Sequence, residues 1–182
     1  MAATDNDKGW IDRSLHGDQE AFEALVAKYQ HMIHALTFRM TGSRADAEDL
    51  AQETFIQAHQ RLASYRAEAR FSSWLYQIAL NHCLNWKNRN HRRERLQENW
   101  RQETEASPTP DDALALEVQD ALMRLHPKQR AAVALTLYDG LNHAEAARIL
   151  GCSETTVSWR LFTARAKLKR LLRKVPRTGG RS

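Results

Sequence analysis

Apolar residues recur at helical spacing over two stretches in the first half of the chain. The first begins at Asp18, a residue suited to cap a helix, and ends at Thr41-Gly42-Ser43. The second runs from about Arg44 to Leu62. Spacings of three and four residues are typical of a helix face packed on a core. The predicted core residues are Ala21, Phe22, Leu25, Val26, Tyr29, Ile33, Leu36 and Met40 in the first helix, and Leu50, Thr54, Ala58 and Leu62 in the second.

A third helix is predicted within residues 65–95, and its sides differ in chemistry. One side carries Leu75, Ile78, Ala79, His82 and Trp86, and another carries Asn81, Asn85, Asn88 and Arg92. Asparagine amides can donate to and accept from base edges, while arginines such as Arg89 can contact phosphates. Aromatic residues beside basic ones also suit base stacking, although Phe71 and Trp74 are better explained as core residues.

A helix-turn-helix is predicted between Gly140 and Arg165. A short amphipathic helix with Ala144, Ala147, Ile149 and Leu150 stops at Gly151, where a tight reversal favours glycine. Ser153 then caps a second, basic helix with an inner side of Val157, Leu161 and Ala164. The second helix of such a motif can enter the DNA major groove. A plain helical hairpin that packs only its own core is the alternative interpretation.

Composition predicts an all-α protein of two small helical domains. The 182-residue chain has few glycines and prolines and a formal net charge of +5. Residues 121–182 carry a net charge of +10, whereas residues 102–120 carry −6, which indicates a polyanionic partner for the C-terminal part. Residues 97–112 are polar, acidic and interrupted by two prolines, so a flexible linker is predicted there. We therefore expect domains at 1–96 and 113–175, a disordered tail at 176–182, and no apolar seam between the domains.

The sequence contains no motif typical of membrane proteins, metal-binding proteins or enzymes. It contains no stretch long enough to span a membrane and no signal peptide, so a cytoplasmic protein without membrane insertion is predicted. The two cysteines are far apart, and the histidines form no ligand cluster, so neither a disulfide nor a metal site is expected. No phosphate-binding loop or nucleophile motif is present, and we predict neither a cofactor nor an enzyme.

The second predicted helix carries an acidic stripe. Asp46, Asp49 and Glu53 are three and four residues apart, with Gln52 beside them. Like charges at this spacing repel one another and cost stability in isolation. A basic partner would explain the stripe, although exposed acidic helix faces are also common.

Three segments together resemble the extracytoplasmic-function (ECF) sigma factors of bacterial RNA polymerase. They are DAEDLAQETFIQAHQRL, FSSWLYQIALNHCLNWKNR and LHPKQRAAVALTLYDGLNHAEAARILGCSETTVSWRLFTARAKLKR. They follow one another in the family's order, and the resemblance covers residues from about 15 to 172. It implies a transcription initiation factor that binds core RNA polymerase and directs it to promoters by reading −10 and −35 elements.

The resemblance also implies roles for particular residues of the first domain, which corresponds to sigma region 2. Contact with the β′ clamp helices of core polymerase would fall to Asp46, Asp49, Gln52 and Glu53. Melting and reading of the −10 element would fall to the loop 65–70 and the helix after it, through Arg66, Arg70, Asn81, Asn85, Asn88, Arg89 and Arg92.

The second domain corresponds to sigma region 4, which reads the −35 element as duplex DNA. The implied contacts are Ser153, Thr155, Thr156, Ser158, Trp159, Arg160, Thr163 and Lys167. Many members have a basic residue at the position of Ser158 and a small one at that of Trp159. Trp159 could contact a thymine methyl group, pack against a sugar edge or be buried. The implied partners are core polymerase, including its β flap, promoter DNA and an anti-sigma protein.

A helix-turn-helix regulator that binds operators without being a sigma subunit is the competing hypothesis. An adaptor that binds polymerase without choosing promoters is a third. The regulator hypothesis predicts a symmetric dimer and an effector pocket, and the sequence indicates neither. The adaptor hypothesis leaves the polar face of residues 81–92 without an explanation.

Overall fold

The computed structural model describes the backbone of residues 5–94 and 110–172, and the side chains of residues 7–86 and 114–172. Every regular element within these ranges is helical, which confirms the all-α prediction. The N-terminal domain contains α1 (Asp5–Leu15), α2 (Gln19–Thr41), α3 (Arg44–Arg61), a 3-10 turn (Leu62–Ser64) and α4 (Phe71–Glu94). The C-terminal domain contains α5 (Pro110–Met123), α6 (Pro127–Val133), a π-helical turn (Ala134–Tyr138), α7 (His143–Leu150) and α8 (Glu154–Leu172).

The predicted boundary between α2 and α3 is confirmed. The amide of Ala21 donates to Asp18 Oδ1 at 3.2 Å, so Asp18 caps the start of α2. Gly42 ends α2 with φ +75°, and Ser43 caps α3 by accepting from the amide of Asp46. A Cβ atom on Gly42 would lie 3.0 Å from the side chain of Met123 in α5. Backbone conformation and a close approach therefore both favour glycine at this position.

The core of the N-terminal domain is built from the predicted helix faces. Leu25, Ile33, Leu36, Leu50, Thr54, Ala58, Leu75, Ile78 and Ala79 are all buried. Helix α1, which the sequence analysis did not predict, is tied to α2 through the buried carboxylate of Asp7. That carboxylate pairs with Lys28 Nζ at 2.5 Å and accepts from the Tyr29 hydroxyl at 2.8 Å. Burial and the charge of Asp7 raise the pKa of the Tyr29 hydroxyl, which keeps it a donor.

Helix α5 begins inside the stretch that was predicted to be linker. It starts at Pro110, so its first three residues belong to the predicted linker. Proline is tolerated in the first turn of a helix because the amide it lacks would have no partner there. Residues 97–109 of the predicted linker and the predicted tail at 176–182 lie outside the described residues.

The two domains pack against each other through the C-terminal end of α2. Arg130 of α6 is fully buried, and its guanidinium donates to the carbonyl of Met40 at the end of α2. The same guanidinium donates to the carbonyls of Leu122, Met123 and Leu125. Burial lowers the pKa of Arg130 to about 10, so this side chain is still charged at neutral pH.

Three further polar contacts bridge the domains. Arg39 of α2 pairs with Asp139 beyond the π-helical turn, with Nη1 and Oδ1 3.0 Å apart. Gln119 of α5 donates to the carbonyl of Phe38 at 3.1 Å, and Gln77 of α4 donates to the carbonyl of Arg148 at 3.2 Å. The domains therefore meet in a seam of polar contacts, which the expectation of no apolar seam did not cover. The sequence pattern could not predict these contacts, because most of them end on backbone carbonyls, which every residue carries.

Candidate nucleic-acid interface

The predicted helix-turn-helix is formed by α7 and α8. Asn142 caps α7 in a reciprocal arrangement with Glu145, and Gly151 ends the helix with φ +58°. Ser153 caps α8, because its hydroxyl accepts from the amide of Thr156 at 3.1 Å. The inner side of α8 is buried through Val157, Leu161 and Ala164, as predicted. The motif thus presents the opposite side of α8 to solvent.

The exposed side of α8 carries two large apolar side chains. Trp159 is 64% exposed and Phe162 is 73% exposed, and Thr155 lies one turn before Trp159 on the same ridge. The interpretation in which Trp159 is buried is therefore wrong. Phe162 was not among the predicted contacts, although its place three residues after Trp159 and opposite the buried face could have revealed it. A ridge of this kind is suited to apolar contact with thymine methyl groups.

Other predicted contacts on α8 also have partners within the protein. Thr163 accepts from Gln129 Nε2 at 2.9 Å, and the ammonium of Lys167 donates to the carbonyl of Arg124. Arg160 lies 3.4 Å from Cys152 Sγ. The Ser158 hydroxyl donates to the carbonyl of Glu154 and lies 2.9 Å from His143 Nδ1. These contacts fix α8 on the rest of its domain.

Helix α4 and the loop before it carry the residues predicted to read single-stranded DNA. Asn81 and Asn85 lie one turn apart and are exposed, as are Arg66 and Arg70 in the loop. Asn88, Arg89 and Arg92 lie on the last turns of α4, where the side chains are outside the described residues. The loop therefore exposes basic side chains, and α4 exposes the two asparagine amides.

Aromatic residues hold the loop rather than face solvent. Phe71 is buried, and the ring of Tyr65 lies 5.3 Å from that of Phe71 and 5.4 Å from that of Trp74. The Tyr65 hydroxyl donates to the carbonyl of Ala69 at 2.6 Å, which closes the loop on itself. Ala67, at the tip, has φ +56°, an uncommon conformation for a residue with a Cβ atom. The core interpretation of Phe71 is confirmed.

The residues of the acidic stripe have two different surroundings in the folded protein. Asp49 and Gln52 are exposed on the outer side of α3. Asp46 Oδ1 accepts from Trp86 Nε1 of α4 at 3.2 Å, and Glu53 Oε2 lies 3.2 Å from His82 Nδ1 of α4. Glu53 remains half exposed, so it can still meet a partner. The sequence placed these four residues on one helix but gave no signal for their different surroundings.

The described part of the chain contains neither a candidate metal-binding cluster nor a candidate membrane-spanning helix. No group of three histidine, cysteine or acidic side chains within it is arranged to hold a metal ion. None of its helices combines the length and the apolar character needed to cross a bilayer.

A capped helix-turn-helix with an exposed recognition helix, on a second helical domain with a polar face, defines a two-domain DNA-binding protein. The family model of Sigma-70 region 2 matches residues 25–93, and that of Sigma-70, region 4 matches residues 115–168. The chain therefore belongs to the sigma-70 family, among its ECF sigma factors, and is a transcription initiation factor that directs RNA polymerase to promoters.

Relatives and solved structures agree with this assignment. The chain is 37% identical to the ECF RNA polymerase sigma factor SigM of Mycobacterium tuberculosis, over 86% of this chain and 79% of SigM. CnrH, solved in complex with the cytosolic domain of CnrY, has 30% identity and a TM-score of 0.70, with 93% of this chain and 98% of CnrH covered. The sigma factor RpoE from Bartonella quintana, solved with the anti-sigma factor NepR, has the same fold, with a TM-score of 0.68 at 22% identity over 84% of this chain and 97% of RpoE.

Proposed function

We propose that the two domains divide promoter recognition between single-stranded and duplex DNA. The main support for this proposal is that each domain exposes its own candidate DNA-binding surface. Asn81 and Asn85 lie on α4 of the N-terminal domain, and the ridge of Thr155 and Trp159 lies on α8 of the C-terminal domain. In this proposal, the N-terminal domain opens and reads the −10 element, and the C-terminal domain reads the −35 element.

The chemistry of each surface suits its proposed substrate. Unpaired bases expose their hydrogen-bonding edges, and the exposed amides of Asn81 and Asn85 can satisfy both donors and acceptors on them. Arg66 and Arg70 supply charge for the sugar-phosphate backbone. A recognition helix in the major groove meets base-pair edges and thymine methyl groups, which Thr155 and Trp159 can contact.

Core polymerase would dock on the outer side of α3. Asp49 and Gln52 are exposed there, and Glu53 is half exposed beside them. Negative charge on this face suits a basic partner surface. The resemblance to ECF sigma factors supports the β′ clamp helices as that surface, and the β flap as the partner of the C-terminal domain.

An anti-sigma protein is a further proposed partner. CnrH, which resembles this chain over nearly its whole length, was solved with the cytosolic domain of CnrY. We infer that a protein partner of comparable role binds this chain and withholds it from polymerase. Binding of such a partner would compete with core polymerase in a titration of the purified chain.

In vitro transcription with purified core polymerase tests the proposed function. Genomic fragments are transcribed with core alone and with core plus this chain, and the transcript 5′ ends are mapped. New start sites that share two upstream elements support the division of promoter reading. If the chain binds duplex DNA but yields no new start site, the proposal is wrong and the regulator hypothesis gains. At present the match to region 2 favours the sigma factor over the regulator.

A further inference from the structure

Two contacts join α3 to α4 on one side of the acidic stripe. The indole Nε1 of Trp86 donates to Asp46 Oδ1 at 3.2 Å, and His82 Nδ1 lies 3.2 Å from Glu53 Oε2. Asp46 and Glu53 are seven residues apart, so they share a face of α3, and His82 and Trp86 are four apart, so they share a face of α4. The two helices are thus tied at two points along their contact.

Asp46 differs from the exposed residues of the stripe in its surroundings. It is partly buried and its carboxylate is occupied by a donor from α4, whereas Asp49 and Gln52 are exposed on the outer side. A carboxylate in this position is poorly placed to meet a polymerase helix. Its contact is instead with the helix proposed to read the −10 element.

The two tied residues of α4 each follow one of the exposed asparagines. Asn81 precedes His82, and Asn85 precedes Trp86. Together with the buried apolar face of α4, the ties therefore set the rotation of this helix about its own axis, and with it the direction of both amides. On a helix of about 5–6 Å radius, a rotation of about 20° moves the side-chain tips by about 2 Å. Recognition sites must usually be held within about 0.5 Å, so a rotation of this size would spoil base reading.

We propose that Asp46 is a positioning residue for promoter reading, which acts through Trp86, and not a contact for core polymerase. The Asp46 carboxylate and the Trp86 indole hold α4 so that Asn81 and Asn85 face the unpaired strand. The His82–Glu53 contact reinforces this setting one turn earlier, and Glu53 also lies at the edge of the polymerase face. This inference rests on the proposed function, in which α4 reads the −10 element.

The test compares Asp46→Ala, Asp46→Asn and Trp86→Phe in reconstituted holoenzyme. Asparagine keeps an oxygen that can accept from the indole but loses the charge, and phenylalanine keeps the ring but loses the donor. Trp10→Phe, in a partly buried tryptophan of α1, controls for ring size. One readout is the affinity for core polymerase by titration. The other is base preference. A randomised pool of single-stranded DNA is incubated with saturating holoenzyme, and the retained fraction is sequenced.

We expect Asp46→Ala and Trp86→Phe to lower base preference by about fivefold or more, because good base contacts discriminate between bases by at least that factor. The affinity for core polymerase should be unchanged in both variants. Asp46→Asn should retain wild-type preference, and the Ala/Phe double variant should be no worse than either single variant. If Asp46→Ala fails to fold by circular dichroism, Asp46→Asn and Trp86→Phe carry the test alone.

Three outcomes would overturn the inference. In the first, Asp46→Asn weakens core binding while Trp86→Phe leaves base preference intact, which makes Asp46 a polymerase contact. In the second, Trp10→Phe lowers base preference as much as Trp86→Phe, which makes the effect one of general packing. In the third, the wild-type holoenzyme enriches no sequence. This result would overturn the proposed function together with the inference, whereas the first two outcomes would overturn the inference alone.

Discussion

Arg39 of α2 and Asp139 of the C-terminal domain form an ion pair across the domain contact, with Nη1 and Oδ1 3.0 Å apart. The Arg39 guanidinium also lies 4.5 Å from the centre of the Tyr138 ring. Both partners of the pair are largely buried. Burial raises the pKa of Asp139 despite the opposing charge of Arg39. The pair thus links the two domains to which the proposed function assigns separate promoter elements.

Removal of Arg39 should open the domain contact. In Arg39→Ala, the Asp139 carboxylate is left buried without its cation, and loss of one partner of a buried pair costs on the order of 2–5 kcal/mol. We expect a larger radius of gyration by small-angle X-ray scattering. Arg13→Ala is the matched control, because it breaks an exposed ion pair with Asp18 inside the N-terminal domain. Equal radii for the wild type and Arg39→Ala would show that the pair does not hold the domains together.

Charge reversal at Asp49 should weaken core polymerase binding. Asp49 is exposed on the outer side of α3. A lysine there would repel a basic partner, at a cost on the order of 2–5 kcal/mol if the contact is desolvated. A binding titration against core polymerase measures the effect, with Asp12→Lys on α1 as a control of equal charge change. A wild-type affinity for Asp49→Lys would remove the outer side of α3 from the polymerase interface.

Substitutions at Asn85 and Trp159 should separate the two DNA contacts. Asn85→Ala should reduce strand opening, followed by permanganate reactivity, more than it reduces binding to a −35 duplex. Trp159→Ala should do the reverse, with a loss on the order of 1–3 kcal/mol in duplex affinity if it contacts a base. A pre-melted template should rescue part of the Asn85→Ala defect. Equal losses of both activities in both variants would contradict the division of labour.

The stability of the fold should fall at alkaline pH because of Cys83. Burial raises the pKa of this thiol from 9.0 to about 12. Above about pH 9 the unfolded chain loses the proton while the folded chain keeps it, so the free energy of unfolding decreases as pH rises, by about 1.4 kcal/mol per unit from this group. Urea denaturation from pH 8 to 10 measures the slope. Cys83→Ala should show a shallower one, and parallel slopes would contradict the assignment.

Periodicity and capping residues predicted α2, α3, α4 and the helix-turn-helix, because those signals are local. Helix α1 was missed since its main tie, Asp7 to Lys28 and Tyr29, joins residues more than 20 positions apart. The split of the acidic stripe depends on Trp86, which lies 40 positions from Asp46. No local pattern reports such a pair. The exposed state of Trp159 could be decided only when the packing of α8 was known.

The acceptors of Arg130 make the domain contact reversible. Three of the four carbonyls that it contacts belong to its own domain, and only that of Met40 belongs to the other. When the domains part, the guanidinium exchanges one protein acceptor for water and keeps the rest. The Asp139 carboxylate, whose burial is unfavourable, gains hydration in the same step. Separation therefore leaves neither Arg130 nor Asp139 without a polar partner, which lowers the free energy that a partner preferring separated domains must supply.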